Sequence, residues 1–274
     1  MESSPRLRET LFLNGRRALI LGGLAALIWS VLAYVALPYL ARRHHFQPEL
    51  AGRDLVTRTS FGAPGDPINF GLVGSEADVI CAFRAAAWPA ANARTFATSI
   101  RIVGSVALRR PYPNAPVSHL YYDGRAEDLA FEKPEGRSPR KRHHIRLWRV
   151  LDGGAEGQPV WLGAATFDSR VGFNHYTLQV THHIGADIDA ERTFLAAELT
   201  RGGMVEARYQ LEGVGETVNG RNGGGDRYFT DGEVVVLRLR QGCNAKSKDA
   251  PQVLSSGVAE TVKTQVWKAL RFAF

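Results

Sequence analysis

The residues best suited to chemistry lie between Phe167 and Arg192, where three of the eight histidines of the chain are accompanied by several acids. Neutral imidazole and carboxylate groups together form the usual ligand set of a hydrolytic zinc ion or a similar metal. Imidazole also titrates near neutral pH, which suits it to general acid–base catalysis. This stretch is therefore the strongest candidate for a reactive site in the sequence.

Residues 175–184 alternate between polar and apolar side chains, which predicts a half-buried β-strand. Successive side chains of a strand point to opposite faces, so His183 shares the polar face with His175, whereas His182 lies with the hydrophobic residues. Eight steps along one extended strand span about 26 Å at ~3.3 Å per residue. His175 and His183 are therefore not expected to bind one metal ion unless the strand breaks between them.

A helix is predicted directly after this strand, beginning at Asp187 and ending at Gly202 and Gly203. An acidic side chain in the first turn of a helix accepts hydrogen bonds from free backbone N–H groups and interacts favourably with the helix dipole. Asp187 or Asp189 therefore has a structural interpretation as a helix cap. That interpretation competes with a catalytic interpretation of the same carboxylates.

The elements around this stretch predict an α+β domain with a mainly antiparallel sheet and a few packed helices, since runs of strands are interrupted by helices without strict βαβ alternation. Three strand-like runs are separated by the turns Asp152-Gly-Gly and Asp168-Ser-Arg, which is typical of an antiparallel meander. These runs are Ile145–Leu151, Pro159–Phe167 and Tyr176–Ile184. The other predicted elements are strands at Ile68–Val73, His119–Tyr122, Met204–Leu211 and Glu233–Gln241, and helices starting at Ser75, Ala93 and Gln252.

An apolar segment at residues 18–40 contains no charged side chain. About 20 apolar residues cross a bilayer core as a helix, so this segment predicts a transmembrane helix. A cleaved signal peptide is the alternative, but its apolar core usually has only about 7–15 residues and ends in a small-x-small site. The apolar run here is longer, and the Pro-Tyr-Leu-Ala-Arg-Arg sequence at its end (38–43) is a poor cleavage site. Both features favour an uncleaved, single-pass anchor.

The predicted organisation is an N-terminal tail at 1–17, the transmembrane helix at 18–40, a tether at 41–60, one domain at 61–242 and a C-terminal helical tail at 243–274. Proline, glycine and the absence of periodicity indicate the tether. Arginines flank the apolar segment equally, so the positive-inside rule does not fix its orientation. Because a first segment after a short tail commonly inserts with its N-terminus inside, we expect the domain on the periplasmic side of a bacterial inner membrane.

The net charge of +7 is partly explained by the arginines beside the apolar segment. The chain has no recognisable nucleic-acid-binding module, so nucleic acid is not expected as a partner. Its two cysteines, Cys81 and Cys243, leave two possibilities open. They form one disulfide bond in an oxidising compartment, or they are two buried thiols.

Two basic stretches are candidates for holding an anion. Residues 137–144 are rich in Arg, Lys and His, and residues 219–227 form a glycine-rich stretch bordered by arginine. Backbone N–H groups of glycine turns converge on anions, and guanidinium groups bind phosphate or carboxylate in bidentate fashion. The predicted anion-binding residues are Arg140, Arg142, Arg146, Arg221 and Arg227. The alternative is a solvated basic loop and an ordinary hairpin, since the glycine stretch lacks the Gly-Lys-Ser/Thr of a Walker loop.

Several ordered sequence blocks carry a family resemblance. They are GDPIN (65–69), LVGS (72–75), RPYPNAPVS (110–118), DLAFE (128–132), SPRKRHHIRLW (138–148), WLGAATFD (161–168), QVTHHI (179–184) and GRNGGGDRYFTDG (220–232). Over roughly residues 60–240 the chain resembles an LssY C-terminal domain. The resemblance implies a domain of larger membrane proteins that also carry a PAP2-type lipid-phosphatase module, and it implies no particular reaction for the domain itself. With one apolar segment and no room for that module, this chain is not expected to be a lipid phosphatase.

Two functional classes follow from these observations. The first is an accessory or binding module for an anionic envelope metabolite, small molecule or lipid headgroup, held by the arginines. The second is a metal- or His/Asp-dependent hydrolase with His144, His183 and Asp187 as catalytic candidates, although no metal ligands or cofactor are assigned. A purely structural, partner-binding role is the remaining alternative. The sequence has no Gly-x-Ser-x-Gly nucleophile elbow.

Overall fold

The computed structural model describes residues 5–36, 46–50, 52–90, 119–136, 141–176, 178, 180–211 and 219–254. The chain divides into two compact units, Met1–His45 and Phe46–Phe274. The predicted helix starting at Ala93, residue Arg140 and most of the predicted C-terminal tail lie outside the described residues.

A long helix forms the described part of the first unit. Helix α1 spans Pro5–Val31 and continues as a π-helical stretch over Leu32–Ala36. Within it, Arg17–Ala36 has a mean hydropathy of 2.2 and is long and apolar enough to cross a membrane, and none of it is buried against protein. At 1.5 Å per residue, about 20 helical residues match the ~30 Å hydrocarbon core of a bilayer. A signal sequence near an N-terminus can also be this long and apolar, so the helix alone is weak evidence for an anchor.

The second unit is rich in strands and has two α-helices, α2 (Glu76–Ala85) and α3 (Ile188–Arg201), with a short 3-10 helix at Pro48–Leu50. Its first seven strands are β1 (Val56–Arg58), β2 (Pro64–Pro67), β3 (Phe70–Val73), β4 (Tyr121–Tyr122), β5 (Arg125–Ala126), β6 (Leu129–Pro134) and β7 (Arg142–Leu151). The others are β8 (Val160–Phe173), β9 (Val180–Ile184), β10 (Val205–Leu211), β11 (Asn219–Arg221), β12 (Arg227–Phe229), β13 (Val234–Leu239) and β14 (Gln252–Val253).

A mixed sheet organises this unit, in the strand order β14-β10-β13-β3-β8-β7-β6, with β9 paired to the second half of β8. Strand β13 runs parallel to β3 and β10 runs parallel to β14, while the other neighbours are antiparallel. A smaller sheet has the order β2-β1-β4-β5, and β11 and β12 form a separate hairpin. Mostly antiparallel sheets with a few helices agree with the predicted α+β class.

Two hydrophobic cores cover the two faces of the large sheet. On one face, Phe70 and Leu72 of β3 pack with residues of α2 and α3, such as Phe83 and Leu195. On the other face, the core members are Leu50, Leu55, Ile68, Val73, Leu120, Tyr122, Trp148, Val160, Leu162, Ala164, Tyr209, Leu211, Val234 and Val236. The large sheet therefore lies between a helical layer and a layer that includes the small sheet.

The hairpin between β8 and β9 differs from the prediction. Strand β8 continues through the expected turn at Asp168 and ends at Phe173, with an irregular register between Asp168 and Arg170. The chain reverses after Asn174, whose carbonyl accepts a hydrogen bond from Leu178 N–H (3.0 Å), and Leu178 has a φ of +57°. The predicted turn at Asp168-Ser-Arg was wrong. A polar side chain after an apolar run commonly marks an exposed turn, but Asp168 is buried within the strand beside a basic partner.

Both ends of the predicted domain extend further than expected. Residues 46–60 of the predicted tether belong to the second unit, where Leu50 and Leu55 are buried and β1 pairs with β2. Residues 243–254 are not helical, since β14 lies there and pairs with β10. A disulfide bond joins Cys81 of α2 to Cys243. Of the two possibilities that the sequence left open, the structure therefore has the disulfide bond and not two free thiols.

Candidate functional site

Charged side chains replace apolar ones along one face of β7. Trp148 belongs to the second hydrophobic core, and residues two apart on a strand share a face. On that same face Arg146, His144 and Arg142 follow, and all three are buried. One end of the sheet is therefore covered by an ionic cluster where the other end carries a hydrophobic core.

Each of these buried basic side chains meets a carboxylate from another strand, which is β6, β8 or β2. The pairs are Arg142 Nη1 donating to Glu132 Oε2 (3.1 Å), His144 Nε2 at 2.7 Å from Asp168 Oδ2, and Arg146 Nη1 donating to Asp66 Oδ2 (3.2 Å). We call these six residues the buried network. Charges are buried at a cost of several kcal/mol each unless they are paired, so the pairing explains how the network is tolerated. The predicted anion-binding residues Arg142 and Arg146 are thus directed into the protein.

His182 contacts this network, although the alternation of the sequence placed it with hydrophobic residues. Its Nε2 atom is 3.3 Å from Arg142 Nη2, and its Nδ1 atom is 3.7 Å from Asp168 Oδ2. Strand β9 pairs only with β8 within the large sheet, at the charged end of that strand. His182 therefore meets polar neighbours on the side that the alternation of the sequence assigned to the core.

Two carboxyl groups of the buried network, those of Asp66 and Asp168, have pKa values shifted in opposite directions. Burial raises the pKa of Asp66 above its ordinary value of 3.8, although the Arg146 guanidinium opposes this shift. Burial would also raise the pKa of Asp168, but the imidazole of His144 and nearby cations lower it below 3.8. The protein environment therefore makes protonation of Asp66 easier and protonation of Asp168 harder, and pKa shifts of this kind are enriched at functional sites.

A second cluster consists of His175, His183 and Asp226, and we call it the histidine–aspartate cluster. The Asp226 Oδ1 atom is 2.6 Å from His183 Nδ1 and 3.7 Å from His175 Nε2. One nitrogen or oxygen atom from each residue lies within 4.8 Å of the others. The early turn after Phe173 brings together two histidines that an unbroken strand would hold about 26 Å apart. The strand thus breaks between them, which is the condition under which the sequence allowed His175 and His183 to share an ion.

The histidine–aspartate cluster is buried on one side and open on the other. His183 and Asp226 are buried, whereas the His175 side chain is 52% exposed. Ile184 N–H donates to Asp226 Oδ2 (3.1 Å), which holds the carboxylate in place. Gly172 adjoins the His183 ring so closely that a Cβ atom there would lie 2.5 Å from Nε2. Two groups of the cluster are thus fixed by their surroundings, and the third faces solvent.

The glycine-rich loop between β11 and β12 positions Asp226. Asn222 Oδ1 accepts hydrogen bonds from the backbone N–H groups of Gly224 and Asp226, both at 3.0 Å. Asn222 Nδ2 donates to Asp66 Oδ1 (3.3 Å), which links the loop to the buried network. Gly225 has a φ of +86° and packs directly on His175, so a side chain at Gly225 would be both strained and overlapping.

The exposed arginines of this hairpin lie beside the cluster. Arg221 and Arg227 are opposite one another in the β11–β12 register, and both are exposed. Arg221 Nη1 donates to the Gly225 carbonyl (2.8 Å). Of the five arginines predicted to bind an anion, these two are on the surface, and Arg140 lies outside the described residues.

The other predicted site residues have structural partners. Asp187 is the N-cap of α3, where its Oδ1 atom accepts from Ala190 N–H (2.9 Å), and within the described residues no hydrogen bond joins it to His144 or His183. His143 points to the opposite face of β7, where its Nδ1 atom is 2.9 Å from Glu191 Oε2. Asp231, a further acid of the glycine-rich block, accepts two hydrogen bonds from Arg192, both at 2.8 Å.

Sequence reasoning missed Asp66, Glu132, Asp168 and Asn222 as members of a site. Each lies inside one of the ordered blocks, in GDPIN, DLAFE, WLGAATFD and GRNGGGDRYFTDG respectively. For Glu132 and Asp168 the available signal was an acid at the end of an apolar run, whereas Asp66 and Asn222 stand beside glycine without such a run. Which basic group each would meet depends on strand order, which the blocks do not reveal.

Comparison with known proteins gives one positive finding that bears on this site. A family model described as LssY C-terminus matches residues 47–234, which is more than half of the chain and includes both clusters. No curated protein and no solved structure matches this chain.

Proposed function

We propose that this chain, which belongs to the LssY C-terminus family, is a membrane-anchored hydrolase that depends on a divalent metal ion bound by His175, His183 and Asp226. The proposal is carried by one observation: three potential ligand atoms from these residues lie within 4.8 Å of one another. The apolar helix Arg17–Ala36 supports the membrane anchor.

The donor set fits a zinc-like ion. Zinc binds histidine nitrogen at ~2.0–2.1 Å and carboxylate oxygen at ~2.0–2.2 Å, so tetrahedral ligands lie roughly 3.3 Å apart. The distance of 3.7 Å from Asp226 Oδ1 to His175 Nε2 is close to this value. The shorter distance of 2.6 Å to His183 Nδ1 would have to widen by less than about 1 Å on binding. Three protein ligands leave a fourth position for water, as in catalytic zinc sites.

Each of the three candidate ligands would have a different role in such a site. When bound, a divalent metal supplies a hydroxide nucleophile at neutral pH. Asp226 keeps its orientation through the hydrogen bond from Ile184 N–H, and His183 is held between Asp226 and Gly172. His175 lies at the exposed side, so a substrate approaches the cluster from there.

The exposed arginine pair supports an anionic substrate. Like charges directly opposite on neighbouring strands are destabilising, and an anion between them relieves the repulsion. Guanidinium groups bind phosphate and carboxylate in bidentate fashion. Because Arg221 bonds to Gly225, whose backbone packs on His175, an anion held by Arg221 and Arg227 would lie next to the cluster.

An accessory module that binds an anionic envelope or lipid-derived ligand without converting it is the second candidate. The same pair, Arg221 and Arg227, favours it, because the two guanidinium groups are exposed on one hairpin. This candidate predicts ligand binding without turnover, and it does not require a metal ion.

Hydrolysis by the full chain in nanodiscs tests the first candidate. Protein stripped with chelator and reloaded with Zn²⁺ or Mn²⁺ would be assayed with chromogenic phosphomonoester, phosphodiester and carboxylic ester substrates. We expect metal-dependent turnover that falls by roughly 100-fold or more in His175→Ala. His119→Ala is the matched control, since the His119 side chain is also half exposed (56%) and also beside a carboxylate, that of Glu127.

The outcomes separate the two candidates. Equal turnover in wild type and His175→Ala, or no turnover with any metal, would reject the hydrolase. Phosphate binding that requires Arg227 but occurs without turnover would favour the binding module instead.

A further inference from the structure

Large apolar side chains project into solvent from two hairpin tips of the second unit. They are Phe61 (92% exposed) in the β1–β2 tip, and Phe173 (65%), Tyr176 (65%) and Leu178 (76%) in the β8–β9 tip. Elsewhere in the described part of this unit, Val253 (69%) is the large hydrophobic residue with comparable exposure, and Ile80 is only 37% exposed. Single exposed hydrophobic residues are normal on protein surfaces, but a group of four at neighbouring tips marks an interaction site.

Both tips meet at the glycine-rich loop. Gly223 packs on the first tip, since a Cβ atom there would overlap Thr59 Cγ2 and lie 3.2 Å from the Pro64 carbonyl oxygen. The second tip bonds to the same loop, because Asn174 Nδ2 donates to the Gly223 carbonyl (3.4 Å) and His175 N–H donates to the Gly224 carbonyl (3.1 Å). The two apolar tips and the loop therefore form one end of the unit.

This end also carries positive charge. The exposed residues Arg221 and Arg227 lie on the strands that flank the loop, whereas the carboxylate of Asp226 faces His183. We call Phe61, Phe173, Tyr176, Leu178, Arg221 and Arg227 together the tip surface. Aromatic and aliphatic tips beside basic side chains form the composition that inserts into the interface of an anionic bilayer.

We infer that the tip surface docks on the surface of an anionic lipid bilayer and presents the histidine–aspartate cluster to lipid headgroups. A bilayer is the occupant because the chain carries its own candidate anchor. Ala36 and Phe46 are ten chain steps apart, and an extended chain gains at most ~3.6 Å per step, so a bilayer that holds the helix is within reach of the second unit. His175 lies between Phe173 and Tyr176, so docking would bring the exposed group of the cluster to the headgroup level.

The inference deepens the proposed function and rests on it for the substrate class, which becomes a lipid with an anionic headgroup. Docking itself does not depend on a metal ion, because no member of the tip surface belongs to the histidine–aspartate cluster. The two proposals therefore fail separately.

Quenching of tryptophan fluorescence by brominated acyl chains tests the docking. The full chain would be placed in nanodiscs of brominated phosphatidylcholine and phosphatidylglycerol, as wild type and as Phe61→Trp, Tyr176→Trp and Val253→Trp. The wild-type signal is subtracted, which removes the contribution of native residues such as Trp29. Val253 is the matched control, since it is 69% exposed but lies in β14.

We expect the added tryptophan at positions 61 and 176 to be quenched about twofold more than the one at position 253. Replacing phosphatidylglycerol by phosphatidylcholine, or introducing Arg221→Glu with Arg227→Glu, should reduce this difference. Equal quenching at all three positions in anionic nanodiscs would overturn the inference. If the fluorescence of the tryptophans at positions 61 and 176 is not quenched by the lipid and changes only when a second protein is added, the inference is overturned in favour of a protein partner.

A second variant separates docking from hydrolysis. Phe61→Ser should keep the turnover of a water-soluble ester, because Phe61 is almost fully exposed and is not part of the cluster. It should lower both the quenching at position 176 and the turnover of an anionic lipid in vesicles. Conversely, His175→Ala should remove turnover and leave the quenching unchanged, and if it removed both, the separate docking surface would be rejected.

Discussion

Close packing around single side chains determines whether the histidine–aspartate cluster can bind a metal ion. His183 has Asp226 at its Nδ1 atom and Gly172 at its Nε2 atom, so the ring is held on both sides. Because the ring is buried, it has little room to move away from a larger neighbour. The site therefore requires a residue without a side chain at position 172.

Gly172→Ala should weaken the cluster. The added methyl group would lie 2.5 Å from His183 Nε2, so the ring or the strand must shift at a cost of about 1–3 kcal/mol. We expect a lower midpoint of thermal unfolding and a lower zinc affinity. Gly153→Ala is the control, since nothing lies within 4 Å of a Cβ atom there. Identical unfolding and zinc affinity of the two variants would contradict the packing described for His183.

The buried network makes a prediction about pH. Because folding lowers the pKa of Asp168, its ionised form stabilises the native state above pH 3.8, and this contribution is lost as the pH falls through the lowered value. Asp66 acts in the opposite sense. Because folding raises its pKa, its protonated form stabilises the native state below pH 3.8, and this contribution to stability is lost as the pH rises through the raised value.

Asp168→Asn should therefore cost stability mainly at neutral pH. Removing one partner of a buried pair costs roughly 3–5 kcal/mol, because His144 would lose its anionic partner. Denaturant unfolding of wild type and variant at neutral pH and at several lower pH values measures the difference. We expect it to shrink on acidification below pH 3.8, and a difference that stays constant would show that Asp168 does not change its pKa on folding.

At the scale of elements, the β8–β9 hairpin brings the residues of the site together, and the position of its turn could not be predicted from the sequence. Helix α3 was predicted at its observed bounds because Asp187 and the following glycines are direct signals of a helix start and end. The capping box of α2, Ser75 with Asp78, was equally readable. The turn after Phe173 has neither proline nor glycine, and it depends on the unusual backbone of Leu178.

The position of that turn explains which site residues could be predicted. His144 and His183 stood out by residue type, and the structure places His144 in the buried network and His183 in the histidine–aspartate cluster. His175 was not among the predicted site residues, because alternation in a sequence does not show where a strand reverses. The pairing of Asp66 with Arg146 joins residues 80 positions apart, and only the order of strands brings them together.

The N-cap of α3 separates a structural from a catalytic role for Asp187. Asp187→Ala should lower the free energy of unfolding by about 1 kcal/mol, because the Ala190 N–H group loses its acceptor. Asp187→Asn should keep that stability, since asparagine also caps helices well. Both variants should hydrolyse a soluble substrate as wild type does. A stable Asp187→Asn protein without activity would instead assign the carboxylate to catalysis.

At the scale of the whole molecule, the disulfide bond connects the helical layer to the segment that follows β13. Cys81 and Cys243 are 162 residues apart, and closing so long a loop stabilises a chain by roughly 5 kcal/mol in the chain-entropy account. Disulfide bonds persist in oxidising compartments, so this bond is consistent with the expectation, made from the sequence, of a domain on the periplasmic side.

Reduction of this bond should lower the midpoint of thermal unfolding by roughly 10–20 °C. Scans of the full chain with and without reductant measure the shift, and the double variant Cys81→Ser with Cys243→Ser controls for other effects of the reductant. In cells treated with a thiol-blocking reagent before lysis, both cysteines should be protected. Full labelling of both cysteines in such cells would contradict an oxidised, periplasmic domain.

The most direct test of the proposed metal centre is equilibrium dialysis of the full chain against Zn²⁺, followed by elemental analysis. Wild type and His119→Ala should each bind close to one zinc ion per chain at the cluster, because both retain His175, His183 and Asp226. His175→Ala and Asp226→Asn should lose that ion while remaining folded by circular dichroism. If the wild-type chain binds no zinc, manganese or iron under these conditions, or if His175→Ala binds as much metal as wild type, the proposed metal centre is wrong.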